Sequence, residues 1–472
     1  VAAVAAAGAA GVLGFGSTGR GFLDPDPNDA KPYWPVYPVP TVSLPADQGA
    51  RLRAALSRGA VTVELTATTS PSSVYALAYP WLDAIPATPP STVDSRDLYR
   101  VDDRLHADNP GVATLNWNAQ LPLGAPGAPV RWVGTGNSLP VRAPGTVTTW
   151  YGPVRAGLGW DHGASLFYDA PATVAGYHRN GWSETRVDEF GRAGRRTEDL
   201  GEQPLASTTT RYSPAAARYT VPACLSCRNG DMLNPVNVLD NDGTGGGYQA
   251  YDITNGAYGD PQTQLHLYRD GTELPVRTGI AWIAPPFFGY WNPYFTLPPG
   301  LAGYRLTEHF STDFAMQRYA RSVDTAWTFT SGHPDGGYTG PADGATCMGW
   351  YLTLPTRDTC QPTGQLFLGY DLGLSLHDTL PAGGTKRVTL TAFHGSLLAA
   401  PPAVSGLSAW LSADGGAHWT PLRTRPLGDG RYSATLTNPR SPGTGVTLRV
   451  RATDAAGDTV DQTIQNAYGL AS

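Results

Sequence analysis

From about residue 110 onward the chain holds no helical period. Instead, short alternating runs of apolar and polar residues recur, each closed by a turn signal: "TVTTWYGPV", "SLFYD", "TQLHLYRDGTELPV", "AWTFTSG", "QLFLGYDLGLSL", "KRVTLTAFHG", "SATLT" and "TLRVRATD". An alternating strand buries one face and wets the other, so such strands must stack in pairs of sheets, as sandwiches or open barrels. The 56 glycines and 42 prolines supply the turns. In "YRDGTELP" (Tyr268–Pro275), Asp270-Gly271 predicts a two-residue hairpin.

At 472 residues the chain is long enough for several cores, and 41% hydrophobic content is enough to fill them. A formal charge of −6 gives no basic stripe for nucleic acid. No apolar run approaches the roughly 20 residues of a membrane-spanning helix. Composition shifts divide the chain into residues 1–70, a Pro/Ser/Ala-rich connector over 71–110, a β-rich domain over 111–215, a β-sandwich over 216–385 holding every cysteine, and a last sandwich over 386–472. In that last unit Val446, Leu448 and Val450 alternate with polar neighbours, and the turn at Asp454–Gly457 sends the chain into its final strand.

The first 70 residues differ in kind. "GFGSTG" places Gly14, Gly16 and Gly19 in the G-x-G-x-x-G order of a dinucleotide loop. Such a loop must run from a strand into a helix, whereas here "FLDPDPNDAKPYWPVYP" follows, and its prolines forbid a helix. Further on, "PTVSLP" (Pro40–Pro45) predicts a buried strand, "ADQGARLRAALSRG" a helix closed by Gly59, and "VTVELTAT" a second strand. The result is a small α/β lobe. With its Val start and no basic leader, the segment reads as a fragment whose upstream portion is absent.

"AAVAAAGAAGVLGF", "VPTVSLPADQGARLRAAL" and "VTVELT" resemble the second half of a protease-associated domain, the module inserted in or following the catalytic domain of many secreted subtilisin-family serine peptidases. "YRVDDRLHADNPG", "DTAWTFTSG", "YDLGLSLHDTLPAGGTKRVTL", "SADGGAHWTPL" and "VDQTIQNAYGL" are similar to later blocks of large actinobacterial members of that family. The resemblance implies a mainly β fold: tandem immunoglobulin- or fibronectin-like β-sandwich modules preceded by a partial α/β protease-associated lobe. It also implies a secreted protein whose partner is an upstream catalytic domain of the same polypeptide.

The machinery of such a peptidase is not written in this chain. No Gly-Thr-Ser-Met/Ala nucleophile helix and no Gly-x-Ser-x-Gly elbow occurs. "WDHGAS" crowds Asp161, His162 and Ser165 into six residues, which reads as a polar turn because triad members come from separated segments. The histidines lack the i, i+4 spacing of a zinc helix. Cys224, Cys227, Cys347 and Cys360 form two locally spaced pairs, expected as disulfides Cys224–Cys227 and Cys347–Cys360 in an oxidising compartment. No cofactor is required. Calcium is the one candidate ion, at Asp240, Asp242 and Asp252, although Val238 spoils an EF-hand reading.

Two further segments stand out, and the second suggests a surface. "SADGGAHW" matches a single Asp-box hairpin whose Trp419 is expected in the core. "PPFFGYWNPYFTLPPG" offers Phe287, Phe288, Tyr290, Trp291, Tyr294 and Phe295 as a protein- or glycan-binding surface, with an inter-domain seam as its bland alternative. The functional expectation is therefore a non-catalytic accessory region of a secreted subtilisin-like endopeptidase. The alternative is an exported carbohydrate-binding or adhesion protein.

Overall fold

The computed structural model describes Gly8 and residues 12–14, 41–43, 46–62, 72–80, 92–122, 131–169, 179–209, 211, 218–219, 223–224, 226–235, 238–241, 263–282, 289–311, 318–333, 346–347, 360–441 and 445–472. The chain divides into two compact units, Val1–Thr68 and Thr69–Ser472. In the first, β1 (Val12–Gly14) and β2 (Thr41–Ser43) pair in parallel and α1 (Ala46–Leu56) follows. Glycine 14 thus closes a strand; Gly16, Gly19 and most of the expected strand after Gly59 lie outside the described residues.

The second unit is mainly β. Its first part is a sandwich of two four-stranded sheets. Its strands are β3 (Ser73–Leu77), β4 (Tyr99–Leu105), β5 (Gly111–Leu121), β6 (Arg131–Ala143), β7 (Gly145–Gly152), β8 (Gly159–Asp169), β9 (Arg179–Glu189) and β10 (Gly194–Leu200). One sheet runs β10-β4-β7-β3, and the other runs β6-β5-β8-β9 with all neighbours antiparallel. The segment 71–110, expected as a connector, contributes β3 and β4 to this sandwich. Its pattern is disguised because β3 buries Val74 and Ala76 while turning two more apolar residues, Tyr75 and Leu77, outward.

The remainder is joined by one long sheet. Among the described residues its order is Thr272–Leu274, Thr263–Arg269, Ala302–Ser311, Ser322–Ser331, Thr459–Ala471, Gly445–Asp454, Val404–Ser412 and Thr420–Pro421, with Thr379–Pro381 also beside Thr459–Ala471. A four-stranded sheet of Leu366–Asp371, Thr385–His394, Arg431–Thr437 and Thr424–Gly428 shares its core. The final strand pairs with Ser322–Ser331, and Leu366–Asp371 pairs with Thr385–His394, so hydrogen bonding crosses the boundary expected at 385/386. The boundary at 215/216 is likewise bridged, by Ala206–Thr208 against Val238–Asp240. Alternation within one strand cannot reveal such distant pairings.

Local chemistry accounts for several of these elements. Asp270 (φ 51°) and Gly271 (φ 77°) both take left-handed backbone, the requirement of a tight hairpin between Thr263–Arg269 and Thr272–Leu274. At Asp454–Gly457 the carboxylate of Asp454 accepts from the amides of Ala456 and Asp458, which fixes the reversal. The buried Trp327 packs near Phe367 with ring centroids 6.1 Å apart. Gln462 reaches across the core: it accepts from Tyr370 Oη at 2.8 Å and donates to Ser207 O and Thr325 Oγ1 at 2.9 Å each. Apolar burial drives this assembly, at about 1.5–3 kcal/mol per large side chain, and the shared amide fixes which strands face each other.

Candidate functional site: a polar layer inside the first sandwich

The inward faces of β4, β7 and β8 read Val101-Asp103-Leu105, Tyr151-Thr149-Val147 and Trp160-His162-Ala164, each with one polar residue between apolar ones. The register places Glu198 of β10 beside Asp103, and Asp188 of β9 opposite Trp160. Packing the sheets aligns these residues in one polar layer. On one side lie Ala76, Val101, Ala119, Tyr151, Leu158, Trp160 and Phe190. On the other lie residues including Leu105, Leu115, Val147, Ala164 and Leu200. A charge-bearing layer inside a sandwich is costly unless each charge is paired.

Pairing holds one end of each key side chain. Thr149 Oγ1 donates to Asp103 Oδ2 at 2.8 Å. His162 Nε2 pairs with Asp188 Oδ2 at 3.0 Å. Arg196 donates to Asp188 and to Glu198 Oε1. The other ends converge without partners: Asp103 Oδ1, His162 Nδ1 and Glu198 Oε2 are buried and make no hydrogen bond, and the Tyr151 hydroxyl is likewise unpaired. His162 Nδ1 lies 3.9 Å from Glu198 Oε2, beyond hydrogen-bond reach. One ligand atom from each of Asp103, His162 and Glu198 lies within 4.8 Å of the other two.

The electrostatics follow from this geometry. Burial, reinforced by the charge of Glu198, pushes the Asp103 carboxyl up to about 7. Burial alone would lower His162, but the Glu198 charge and the bond to Asp188 outweigh it and raise the imidazole. Burial also works against ionised Asp188, yet His162 and Arg196 hold that carboxyl well below its usual range.

A second buried cluster sits where β4 ends. The His106 side chain is wholly buried, with Nδ1 3.0 Å from Asp378 Oδ1 and Nε2 2.8 Å from Asp199 Oδ1. Asp378, at φ 54°, also accepts from the Gln203 amide at 3.1 Å. This imidazole therefore ties the first sandwich to the turn ahead of Thr379–Pro381. Burial would lower it, but the two carboxylates raise it to about 10. Burial pushes nearby Glu202 up to about 7, and burial together with the Asp378 charge pushes Asp108 up to about 8.

The residues singled out from sequence fare variously. "WDHGAS" is the middle of strand β8, not a turn; alternation sends His162 inward and Ser165 to the opposite face, so the three never converge. Cys227 is buried and disulfide-bonded. Strand register sets Cys224 opposite Cys347 and Cys360 opposite Asn229, while the side chains of Cys224, Cys347 and Cys360 lie outside the described residues. Of the calcium candidates, Asp240 is described only as the backbone partner of Ala206, and Asp242 and Asp252 lie outside the described residues.

Phe287 and Phe288 also lie outside the described residues. Tyr290, Trp291, Tyr294 and Phe295 belong to strand Gly289–Thr296, paired with Val276–Trp282, where a Pro-flanked loop was expected. Phe295 is buried and Tyr294 half-buried. Trp419 is half-buried against Gly416 and not in the core; Ser412 and Asp414 fold the Asp-box turn through bonds of 2.7 to 3.3 Å.

Sequence reasoning missed Asp103, Glu198, Asp188 and Arg196. The signal was present as a charge at an inward position of an alternating strand, but only the register showed that four such anomalies share one layer. Among the described residues no imidazole nitrogen is hydrogen-bonded to a serine or threonine hydroxyl; the partners are carboxylates, a backbone carbonyl and a guanidinium.

No protein-family model and no curated protein matches the chain. Similar solved structures include the N-terminal eight Ig domains of Down Syndrome Cell Adhesion Molecule, at 8% identity over 78% of this chain and 49% of that chain with TM-score 0.15. An I-band fragment from titin is similar at 10% identity over 77% of this chain and 95% of that one, with TM-score 0.12. This chain thus spans about half the length of the first. Likeness at this level says nothing of activity.

Proposed function

We propose that this chain is the non-catalytic accessory region of a secreted subtilisin-like serine endopeptidase, whose β-sandwich modules stabilise the enzyme and dock it to surfaces. One observation carries the non-catalytic part. Among the hydrogen bonds between described residues, no histidine held by a carboxylate offers its other ring nitrogen to a serine or threonine hydroxyl, and this supports a non-catalytic reading. His106, caught between two carboxylates, is a tie between modules rather than a base. The link to a peptidase rests on the sequence resemblance, as does secretion.

Two experiments test the reading. The purified chain is expected to leave casein intact and to take no label from a serine-reactive fluorophosphonate; hydrolysis abolished by that reagent would overturn it. The coding sequence upstream is expected to contain a Gly-Thr-Ser nucleophile helix, and its absence there would remove the peptidase link.

A second reading, attachment to glycans, is favoured by one feature of the outer face of the β10-β4-β7-β3 sheet. Tyr75, 62% exposed, stacks on Trp150 at 6.4 Å, and the Arg100 guanidinium lies 5.7 Å from the Trp150 ring. An aromatic pair, exposed at Tyr75 and half-buried at Trp150, with a cation beside it suits the apolar face of a sugar ring.

A further inference from the structure

We propose that Asp103, His162 and Glu198 ligate one divalent transition-metal ion of the zinc class in the core of the first sandwich. Each of the three is anchored at one end and open at the other. Thr149 holds Asp103 Oδ2, Asp188 holds His162 Nε2 and Arg196 holds Glu198 Oε1. Such outer partners orient metal ligands and set the histidine tautomer. With Nε2–H donating its hydrogen bond to Asp188 Oδ2, His162 Nδ1 presents a lone pair to two carboxylate oxygens. Three acceptor atoms then converge, none of them hydrogen-bonded to another.

Distance and charge agree. A gap of 3.9 Å between Nδ1 and Oε2 is too long for a hydrogen bond, yet two metal–ligand bonds of about 2.1 Å reach across it. In the layer, Asp103, Glu198 and Asp188 face one guanidinium, that of Arg196, while Arg186 is matched by Glu184. With His162 neutral, two negative charges are left over, and one divalent cation cancels them. An imidazole nitrogen with two carboxylates and no thiolate disfavours calcium, magnesium and copper(I), and suits zinc or its neighbours. The rival arrangement cancels the same two charges with protons on Asp103 and His162.

Because the site is buried, the test loads it during folding. The chain, with its disulfides kept intact, is unfolded in guanidinium with a chelator, freed of both, and refolded with or without one equivalent of zinc. Zinc-refolded protein is expected to retain about one ion per chain and to melt about 5–10 °C higher than protein refolded without it. The double variant Asp103→Asn/Glu198→Gln is expected to retain none and to melt alike in both conditions. Refolding the wild type with cobalt(II) is expected to give visible d–d absorption, a readout that needs no variant. Wild-type protein that retains no zinc, shows no cobalt band and melts identically with and without metal would overturn the proposal in favour of protons.

Discussion

Replacing His106 with leucine tests whether this imidazole is a charged tie between modules. In the native chain it lies between Asp199 and Asp378 with no exposed surface. Its rise from 6.5 to about 10 corresponds to about 5 kcal/mol at about 1.4 kcal/mol per tenfold in proton affinity. Breaking a buried pair by removing one partner costs about 3–5 kcal/mol, so His106→Leu is expected to lose that much at pH 6–7. The sign with pH is fixed by the direction of the shift. A histidine raised on folding contributes fully below pH 6.5 and loses its contribution as pH climbs through 10.

Glu202 and Asp108, raised to about 7 and 8, act in the same direction at lower pH. Asp108 is still titrating at pH 8, so His106 dominates this cluster only toward pH 9.5. Wild-type stability should fall there by about 1.4 kcal/mol per pH unit more than that of His106→Leu. Guanidinium unfolding followed by tryptophan fluorescence at pH 6, 8 and 9.5 measures both effects. Parallel profiles above pH 8, or a variant as stable as wild type at pH 6, would refute a charged His106.

Two further outcomes are expected. Gly163 sits in β8 where an added Cβ would stand 1.9 Å from the Glu184 carbonyl oxygen, so Gly163→Ala must push β9 aside. A loss of about 1–3 kcal/mol, the range for overpacking, should appear as a lowered denaturation midpoint, and an unchanged midpoint would contradict the close approach of β8 and β9. On the outer sheet face, Tyr75→Ala with Trp150→Ala is expected to abolish retention on immobilised polysaccharide in a chain that still folds cooperatively, with its melting temperature lowered by the lost stacking. Equal retention by wild type and variant would remove the glycan reading.

Much of the fold could be read in advance because strand and turn chemistry is local. The hairpin at Asp270-Gly271 and the reversal at Asp454–Gly457 needed only their own residues, and helix Ala46–Leu56 was marked by its apolar spacing and Gly59. The candidate site was far less legible. "YRVDDRL" shows Asp103 where an alternating strand should be apolar, and "WDHGAS" shows His162 in the same predicament, but neither stretch says that the other is its neighbour. Tyr75 and Leu77 misled in the opposite way, since apolar side chains turned outward hid the strand that carries them.

The sequence by itself determined that this is a β protein of stacked sheets, because a period of two and frequent turns permit little else. Only the tertiary structure decided which sheets continue into which, and that buried Asp103, His162 and Glu198 form one layer with half-buried Asp188 and Arg196. The physical reason is range. Alternation assigns a residue to a face within its own strand, whereas a charge in a core acquires its partners, its proton affinity and any ion it binds from strands tens of residues away.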